Sequence, residues 1–298
     1  MQENKPDVSL FFPVYRDERT VRIVAEKALC VLRDVARRYE VVIVDDGSPD
    51  RAGEIADELA REYPEVRVIH HPKNLGYGAA VLTGLSNCKY EWICFTDGDD
   101  EYDVNDLRKL IALRDFYDLI ITFRYVKIYS GDRIFISWVY NKTLRALFRT
   151  QYRDISTGMR LIRKSLAEQI HCASTSPFIG AELTIKAMLR GYRIGEVGIQ
   201  TFPRTFGKGA STSPKNIMAT MVDMARVYRE VFSPEYELPS NRARTQQVHA
   251  QSDSARPATS LSGPVSSQVP ISSQVPVSAV ITASVGDGAR RTAYPDRK

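Results

Sequence analysis

Glu91-Trp92-Ile93-Cys94-Phe95-Thr96-Asp97-Gly98-Asp99-Asp100-Glu101 passes from a short apolar, aromatic run to a knot of carboxylates across a single threonine. The run has the length and composition of a buried strand bounded by turn formers. Side chains just beyond such a strand point into the crevice where open α/β sheets bind ligands. Four acids in five residues repel one another, so the pattern predicts a cation among them. Asp97 and Asp99 offer the hard oxygen ligands that Mg²⁺ and Mn²⁺ favour, with waters and substrate phosphates in the remaining positions. The plainer alternative is an acidic surface turn capping a helix over 104–113.

A second strand end repeats the pattern. Glu40-Val41-Val42-Ile43-Val44 runs into Asp45-Asp46-Gly47-Ser48-Pro49-Asp50, where Gly47 suits a tight turn and Ser48 or Asp50 suits the cap of a following helix. Carboxylates so placed accept hydrogen bonds from ribose hydroxyls or base N–H groups; a purely structural Asx turn is the alternative. Between the two acidic ends lies Asn74-Leu75-Gly76-Tyr77-Gly78-Ala79-Ala80, small enough for backbone to approach a ligand or the sheet. It lacks the Gly-Lys-Ser/Thr ending of a phosphate loop and the spacing of the dinucleotide fingerprint.

Working outward, short apolar runs at 8–12, 40–44, 66–70, 91–95, 118–123, 159–162 and 193–199 alternate with helical patterns near 18–38, 50–62, 77–87, 104–113, 133–149 and 178–190. That alternation predicts an α/β fold with a mostly parallel sheet and helices on both faces, mixed toward its later, shorter strands. Ile217, Met221, Met224, Tyr228 and Val231 form one helical stripe over 215–232, widened by Met218, Ala225 and Phe232, with Asp223, Arg226 and Arg229 opposite. The stripe suits core packing or docking on a membrane or partner, and in the second case Arg226 and Arg229 would reach anionic headgroups. Residues 1–214 are thus expected to form one α/β domain and 215–232 an amphipathic helix. Residues 233–298, rich in Ser, Pro and Gln with Ser-Ser-Gln-Val-Pro repeated at 266 and 272, are expected to be a disordered tail.

The chain has 298 residues, 43% hydrophobic content and a formal net charge of +5. Residues 114–164 hold eleven Lys and Arg against four Asp, a local excess of seven that favours an anionic partner: phosphate, lipid headgroup or nucleic acid. Cys30, Cys88, Cys94 and Cys172 form no C-x-x-C pair and read as reduced core thiols. His70-His71 lacks partners at metal-ligand spacing and reads as a satisfied or solvated pair. No signal segment is evident, and no apolar run approaches the roughly 18 residues that span a bilayer, so a cytoplasmic, non-integral protein is expected.

Taken in order, these motifs resemble those of the inverting family-2 glycosyltransferases of the GT-A fold, Rossmann-like nucleotide-diphospho-sugar transferases. Within that family the chain is most similar to the dolichol-phosphate mannose synthase and bacterial polyprenyl-phosphate glycosyltransferase group, over residues 7–212. Pro13-Val14-Tyr15-Arg16-Asp17-Glu18 resembles the opening Pro-x-Tyr-Asn-Glu, with Arg16 for Asn and Asp17 for Glu. The resemblance implies a donor pocket of Pro13, Tyr15, Asp17, Asp45, Asp46, Asn74, Gly76 and Lys208, with Asp46 on base or ribose. It implies Mg²⁺ or Mn²⁺ on Asp97, Asp99 and Glu101. The acceptor phosphate falls to Arg124, Arg133 and Ser137, with Asn141 where relatives carry Asn. Asp154-Ile155-Ser156-Thr157-Gly158-Met159-Arg160-Leu161 resembles the Asp-x-x-x-Gly-Phe-Arg/Lys-Leu segment, and Arg204, Gly207, Lys208 and Ser211 resemble the loop closing over the donor diphosphate. Many bacterial relatives continue into transmembrane helices where this chain enters a polar tail.

The resemblance implies transfer of a sugar from a nucleoside-diphosphate sugar, of GDP-mannose or UDP-glucose type, to a polyprenyl phosphate at the cytoplasmic face of the membrane, by an enzyme peripheral to it. Asp97, Asp99 and Arg204 would offset the charge of the leaving diphosphate. A lipid phosphate is already anionic and needs positioning alone, whereas a hydroxyl acceptor on a cell-envelope glycan needs a base, for which Asp154 is the nearest candidate. A nucleotidyltransferase would carry a Gly-rich phosphate loop near its N-terminus, and Phe11-Phe12-Pro13-Val14-Tyr15 is not one. A non-catalytic RNA- or membrane-binding module accounts for the basic stretch and leaves the acidic strand ends unexplained, so nucleic acid is not the expected partner.

Overall fold

The computed structural model describes residues 5–125, 131–155, 157–203, 213–234 and 236, the side chains of Asp132 and Arg133 excepted. Seven strands form one sheet: β1 (Asp7–Val14), β2 (Arg38–Asp45), β3 (Val66–His70), β4 (Trp92–Phe95), β5 (Leu119–Arg124), β6 (Arg160–Arg163) and β7 (Ile194–Ile199). Each coincides with an apolar run of the sequence. Their order is β3-β2-β1-β4-β6-β5-β7. β1, β2, β3 and β4 pair in parallel, as do β5 and β7, while β6 runs antiparallel to both β4 and β5. The sheet is therefore mixed in its later half, as the shorter strands suggest.

All eight positions of β1 are buried, which requires cover on both faces. Successive side chains alternate: Leu10 and Phe12 join one core cluster with Val24 and Leu32 of α1 (Val21–Val35) and Leu59 of α2 (Ala52–Glu62). Phe11 joins the other, with Val81 of α3 (Tyr77–Asn87), Phe148 of α5 (Gly131–Phe148), Leu183 of α7 (Ile179–Leu189) and Val227 of α8 (Pro214–Val231). The remaining helices are α4 (Leu107–Ala112), preceded by a 3-10 turn at Val104–Asp106, and α6 (Lys164–Gln169), six residues too short to show a period.

α8 divides the apolar stripe in two. Met224, Val227 and Val231 are buried, and Tyr228 and Phe232 pack on Phe148, with ring centroids 5.9 and 6.4 Å away. Met218, Met221 and Val222, nearer the helix start, are exposed. Arg226 does not face outward as the stripe suggested. It donates to Ser174 Oγ at 2.9 Å and to Glu182 at 3.3 Å, because the fully buried Glu182 and Lys186 of α7 draw α8's charged groups toward them. Lys186 Nζ lies 2.8 Å from Glu182 and 2.6 Å from Glu230. Tyr236 also packs on the second cluster, four residues past the expected end of the helical segment. Cys88 and Cys94 are buried thiols, whereas Cys30 is exposed on the outer side of α1.

Candidate active site

Because β1, β2 and β4 are parallel and adjacent, their C-terminal ends open on one edge, and each acidic strand end arrives there. The carboxylates are fixed by register. Asp45 closes β2 opposite His70 at the end of β3. Its Oδ1 accepts from Ser48 N at 2.9 Å and its Oδ2 lies 2.9 Å from His70 Nδ1, while His70 Nε2 reaches Asp57 at 3.0 Å. Burial opposes the charged imidazole, but these two carboxylates outweigh it and raise the His70 pKa above its ordinary value. Asp46 is buried, and its carboxylate accepts from Leu75 N at 2.8 Å and Gly76 N at 2.9 Å, with His71 Nδ1 2.7 Å away. The Asp46 carboxylate thus shapes the Asn74–Gly78 segment. His71 Nε2 meets Thr83 Oγ1 at 2.9 Å.

At the end of β1, Arg16 takes φ 64°, and Asp17 closes the turn by accepting from Tyr15 N at 3.1 Å. This left-handed corner is where the resembled motif carries Asn, a residue that tolerates it. Pro13 lies within β1, Tyr15 is part-exposed, and Thr20 Oγ1 donates to Gly98 O at 2.7 Å, tying the start of α1 to the Asp97–Asp99 turn. Asn74 stands exposed at the edge of its segment.

Asp97 Oδ1 accepts from the Tyr77 hydroxyl at 2.7 Å. Its carboxylate lies over Gly158, where a Cβ would stand 2.3 Å from Oδ2, so only glycine leaves room for it. Asp99 is buried and accepts from Glu101 N at 3.1 Å, while Asp100 turns away at φ 61° to meet Lys27 at 2.7 Å. Glu101 is buried, and its carbonyl accepts from Phe202 N at 2.9 Å. Among the described residues no three His, Cys, Asp or Glu side chains form a ready-made metal cage. Asp97 and Asp99 fit a hard divalent ion in the other common manner, as one or two carboxylates completed by water and phosphate oxygens.

The antiparallel β6 brings a second group to the same edge, since its first residue, Arg160, pairs with Phe95 at the end of β4. Asp154 Oδ2 accepts from Arg124 Nε at 2.9 Å and Nη2 at 2.7 Å, and Asn141 Nδ2 lies 3.5 Å from Oδ1. The two residues assigned separately, one to phosphate and one to base, are therefore one buried ion pair. Arg160 is fully buried and locks the loop behind them, donating to Ile155 O at 2.6 Å, to Thr184 Oγ1 at 2.6 Å and to the Gly180 carbonyl. Ser137 lies on α5 one turn before Asn141, whose amide it accepts through its carbonyl at 2.9 Å. The Arg133 side chain and the whole of Arg204 and Lys208 lie outside the described residues, as do Gly207, Ser211 and the tail beyond Tyr236.

His70 and His71 are a satisfied pair, as read from the sequence; what motif reading missed is that their partners, and that of Tyr77, are the strand-end carboxylates Asp45, Asp46 and Asp97. The available signal was that β2 and β3 are parallel and end in step, so a carboxylate pair on one faces a histidine pair on the other.

The parallel strands, the acidic β4 end and the reversed β6 define a GT-A glycosyltransferase fold. Glucosyl-3-phosphoglycerate synthase from Mycobacterium tuberculosis, solved with Mn²⁺, uridine diphosphate and phosphoglyceric acid, superposes with a TM-score of 0.62 at 16% identity over 75% of this chain and 78% of that one. The same enzyme with Mg²⁺ and uridine diphosphate gives a TM-score of 0.60 at 17% identity, over 74% and 79%. Residues 9–171, more than half of the chain, match Glycosyl transferase family 2, and the protein belongs to that family. Polyprenol monophosphomannose synthase of Mycolicibacterium smegmatis is 28% identical over 229 residues, 72% of this chain and 84% of the relative. Undecaprenyl-phosphate 4-deoxy-4-formamido-L-arabinose transferase of Pectobacterium carotovorum subsp. carotovorum is 27% identical over 183 residues, 60% of this chain. The chain spans only 56% of that relative's length.

Proposed function

We propose that this protein is a glycosyltransferase, moving a sugar from a nucleoside-diphosphate sugar, of GDP-mannose or UDP-glucose type, to a polyprenyl phosphate with inversion at the anomeric carbon. The observation that carries the acceptor is the outward face of α5, the helix whose buried Asn141 lies against the Arg124–Asp154 pair. Phe135 stacks on Trp138 with centroids 6.1 Å apart, and Lys142 Nζ lies 4.8 Å over the Trp138 ring. Both aromatic side chains are more than half exposed, and a shallow groove of about 290 Å³ runs along Trp138, Val139, Lys142, Thr143, Ala146 and Leu147. An exposed aromatic helix with cations at its edge suits a polyprenyl chain and the anionic membrane surface that holds it. Two relatives whose names specify polyprenol and undecaprenyl phosphate support the same class. No helix among the described residues is long and apolar enough to cross a membrane; a peripheral contact with the bilayer is part of the same proposal.

In this reading Asp46 holds the Leu75–Gly76 backbone beside the nucleotide, and Asp97 and Asp99, with Glu101 behind them, hold the cation. A bound divalent ion supplies charge compensation to the leaving diphosphate. The resemblance assigns Arg204 and Lys208, outside the described residues, to that diphosphate, and Arg124, Arg133 and Ser137 to the acceptor phosphate, whose oxygen is anionic without a base. Asp154 keeps the Arg124 fork aligned. A hydroxyl acceptor would compete with that guanidinium for the same carboxylate, which favours the lipid phosphate.

The test is transfer of labelled sugar from GDP-mannose and UDP-glucose to undecaprenyl phosphate in liposomes, with Mn²⁺ or excess chelator. Lipid-linked product that vanishes with chelator and with Asp99→Asn is the expected result. Transfer to phosphoglyceric acid or a glycan hydroxyl but not to the lipid would displace the acceptor assignment. Full turnover in chelator would displace the metal.

A further inference from the structure

The first turn of α3 carries a side chain whose hydroxyl reaches one acidic strand end, at Asp97, while the backbone just before it is held by the other, at Asp46. Tyr77 opens that helix, and its backbone is held from several directions. Asp46 takes the N–H groups of Leu75 and Gly76, and Gly78 N donates to Thr175 O at 2.9 Å. A Cβ at position 78 would stand 2.4 Å from Ser174 O, so the turn lies flush on the 174–175 backbone. That backbone is fixed in turn by Glu182, which accepts from Ser174 N at 2.8 Å. The Tyr77 ring packs on the second core cluster, leaving its hydroxyl one direction to point, toward Asp97 Oδ1. Across the carboxylate, Gly158 bounds the other oxygen, and its N–H is held by the Tyr102 hydroxyl at 2.9 Å.

We propose that Tyr77 is a positioning residue of the transfer reaction: its hydroxyl sets the rotamer of Asp97, and with it the direction in which that carboxylate meets a divalent cation and the donor diphosphate. The inference rests on the cation- and nucleotide-dependent reading given above. Outer partners that orient a ligating carboxylate typically change metal affinity or activity by about 10- to 100-fold. Asp46 grips residues 75–76 through their backbone and Tyr77 grips Asp97, so one three-residue stretch carries alignment from the nucleotide side to the cation side.

The experiment compares the full-length protein with Tyr77→Phe, which removes one oxygen atom and keeps the ring. Mn²⁺ affinity is measured by electron paramagnetic resonance in the presence of UDP or GDP, nucleotide affinity without metal by calorimetry, and kcat by sugar transfer. The expected result is a Mn²⁺ affinity lowered by about tenfold or more and a lowered kcat, with metal-free nucleotide affinity and melting temperature near those of the unmodified protein. An unchanged Mn²⁺ affinity overturns the proposal. So does a variant that fails to fold, or one that loses Mn²⁺, nucleotide and thermal stability together, since the hydroxyl is then structural. If the unmodified protein binds no Mn²⁺ with either nucleotide, the proposal falls together with the reading beneath it. Equal binding by both proteins removes Tyr77 alone.

Discussion

Arg149 stands immediately after the last residue of α5 with φ 55°, exposed, at the position where helices most often place glycine. A left-handed conformation costs an ordinary L-residue roughly 1–2 kcal/mol, and glycine's greater freedom in the unfolded chain returns about 0.5–1 kcal/mol of that. Arg149→Gly should therefore stabilise the protein by about 0.5–1 kcal/mol, read as a higher urea midpoint at unchanged slope. His70 makes a pH-dependent contribution. Asp45 and Asp57 raise its folded-state pKa, so its stabilisation is complete below the unfolded value near 6.5 and fades as pH rises through the raised one. His70→Gln should cost more stability at about pH 6 than at about pH 9, and urea midpoints at the two values test it; a pH-independent loss would mean that the imidazole acts only as a neutral hydrogen-bonding ring. Single residues were legible where chemistry follows a strand directly, as at Asp45, Asp46 and Asp97. His71 and Tyr77 were not, because their partners Asp46 and Asp97 lie 25 and 20 positions away and are reached only once the strand order is known.

At the scale of elements, α8 shows what a helical stripe can and cannot reveal. The period placed the helix at 215–232, within a residue of the observed Pro214–Val231, but not the part that docks, which depends on where Phe148 and the buried Glu182–Lys186 pair lie. Met224→Ala should cost about 2–4 kcal/mol because the side chain is buried in the second cluster, whereas exposed Met221→Ala should stay within about 0.5 kcal/mol of neutral. Chemical denaturation of the two variants decides it, and equal losses would show that the whole stripe is core. The sequence places Arg226 opposite the stripe, within reach of headgroups if the helix docks on a membrane, yet it pairs with the buried Glu182, since buried acids recruit cations regardless of helical period. α5 presents the reverse case. Its hydrophobic pattern is weak because the apolar residues are spread around the helix, and Trp138 and Phe135 stay outside the core. α6 was invisible because six residues hold no second turn to compare with the first.

For the whole molecule, the sheet class, the parallel first half and the mixed second half were readable from the alternation of apolar runs, while the position of β6 between β4 and β5 was not, since nothing local to Arg160–Arg163 specifies its neighbours. The tail boundary needs a small shift. Tyr236 packs on the second cluster and its ring lies under Arg190, 5.9 Å from the guanidinium carbon, so a chain ending at Tyr236 should retain its melting temperature and transfer rate. A chain ending at Ser233 should melt about 2–4 °C lower, the effect of about 1 kcal/mol in a domain of this size. Equal melting of the two would make the Tyr236 contact inconsequential. The place of β6 also bears on synthesis. β4 ends at Phe95 and the strand that covers its free edge begins at Arg160. At ribosomal rates of 5–20 residues per second, the Trp92–Phe95 edge waits roughly 3–13 s for its partner. During that interval the nascent chain displays an aromatic strand beside β1, a natural docking point for a holdase chaperone and the point at which slowed translation would most readily divert the protein into aggregates.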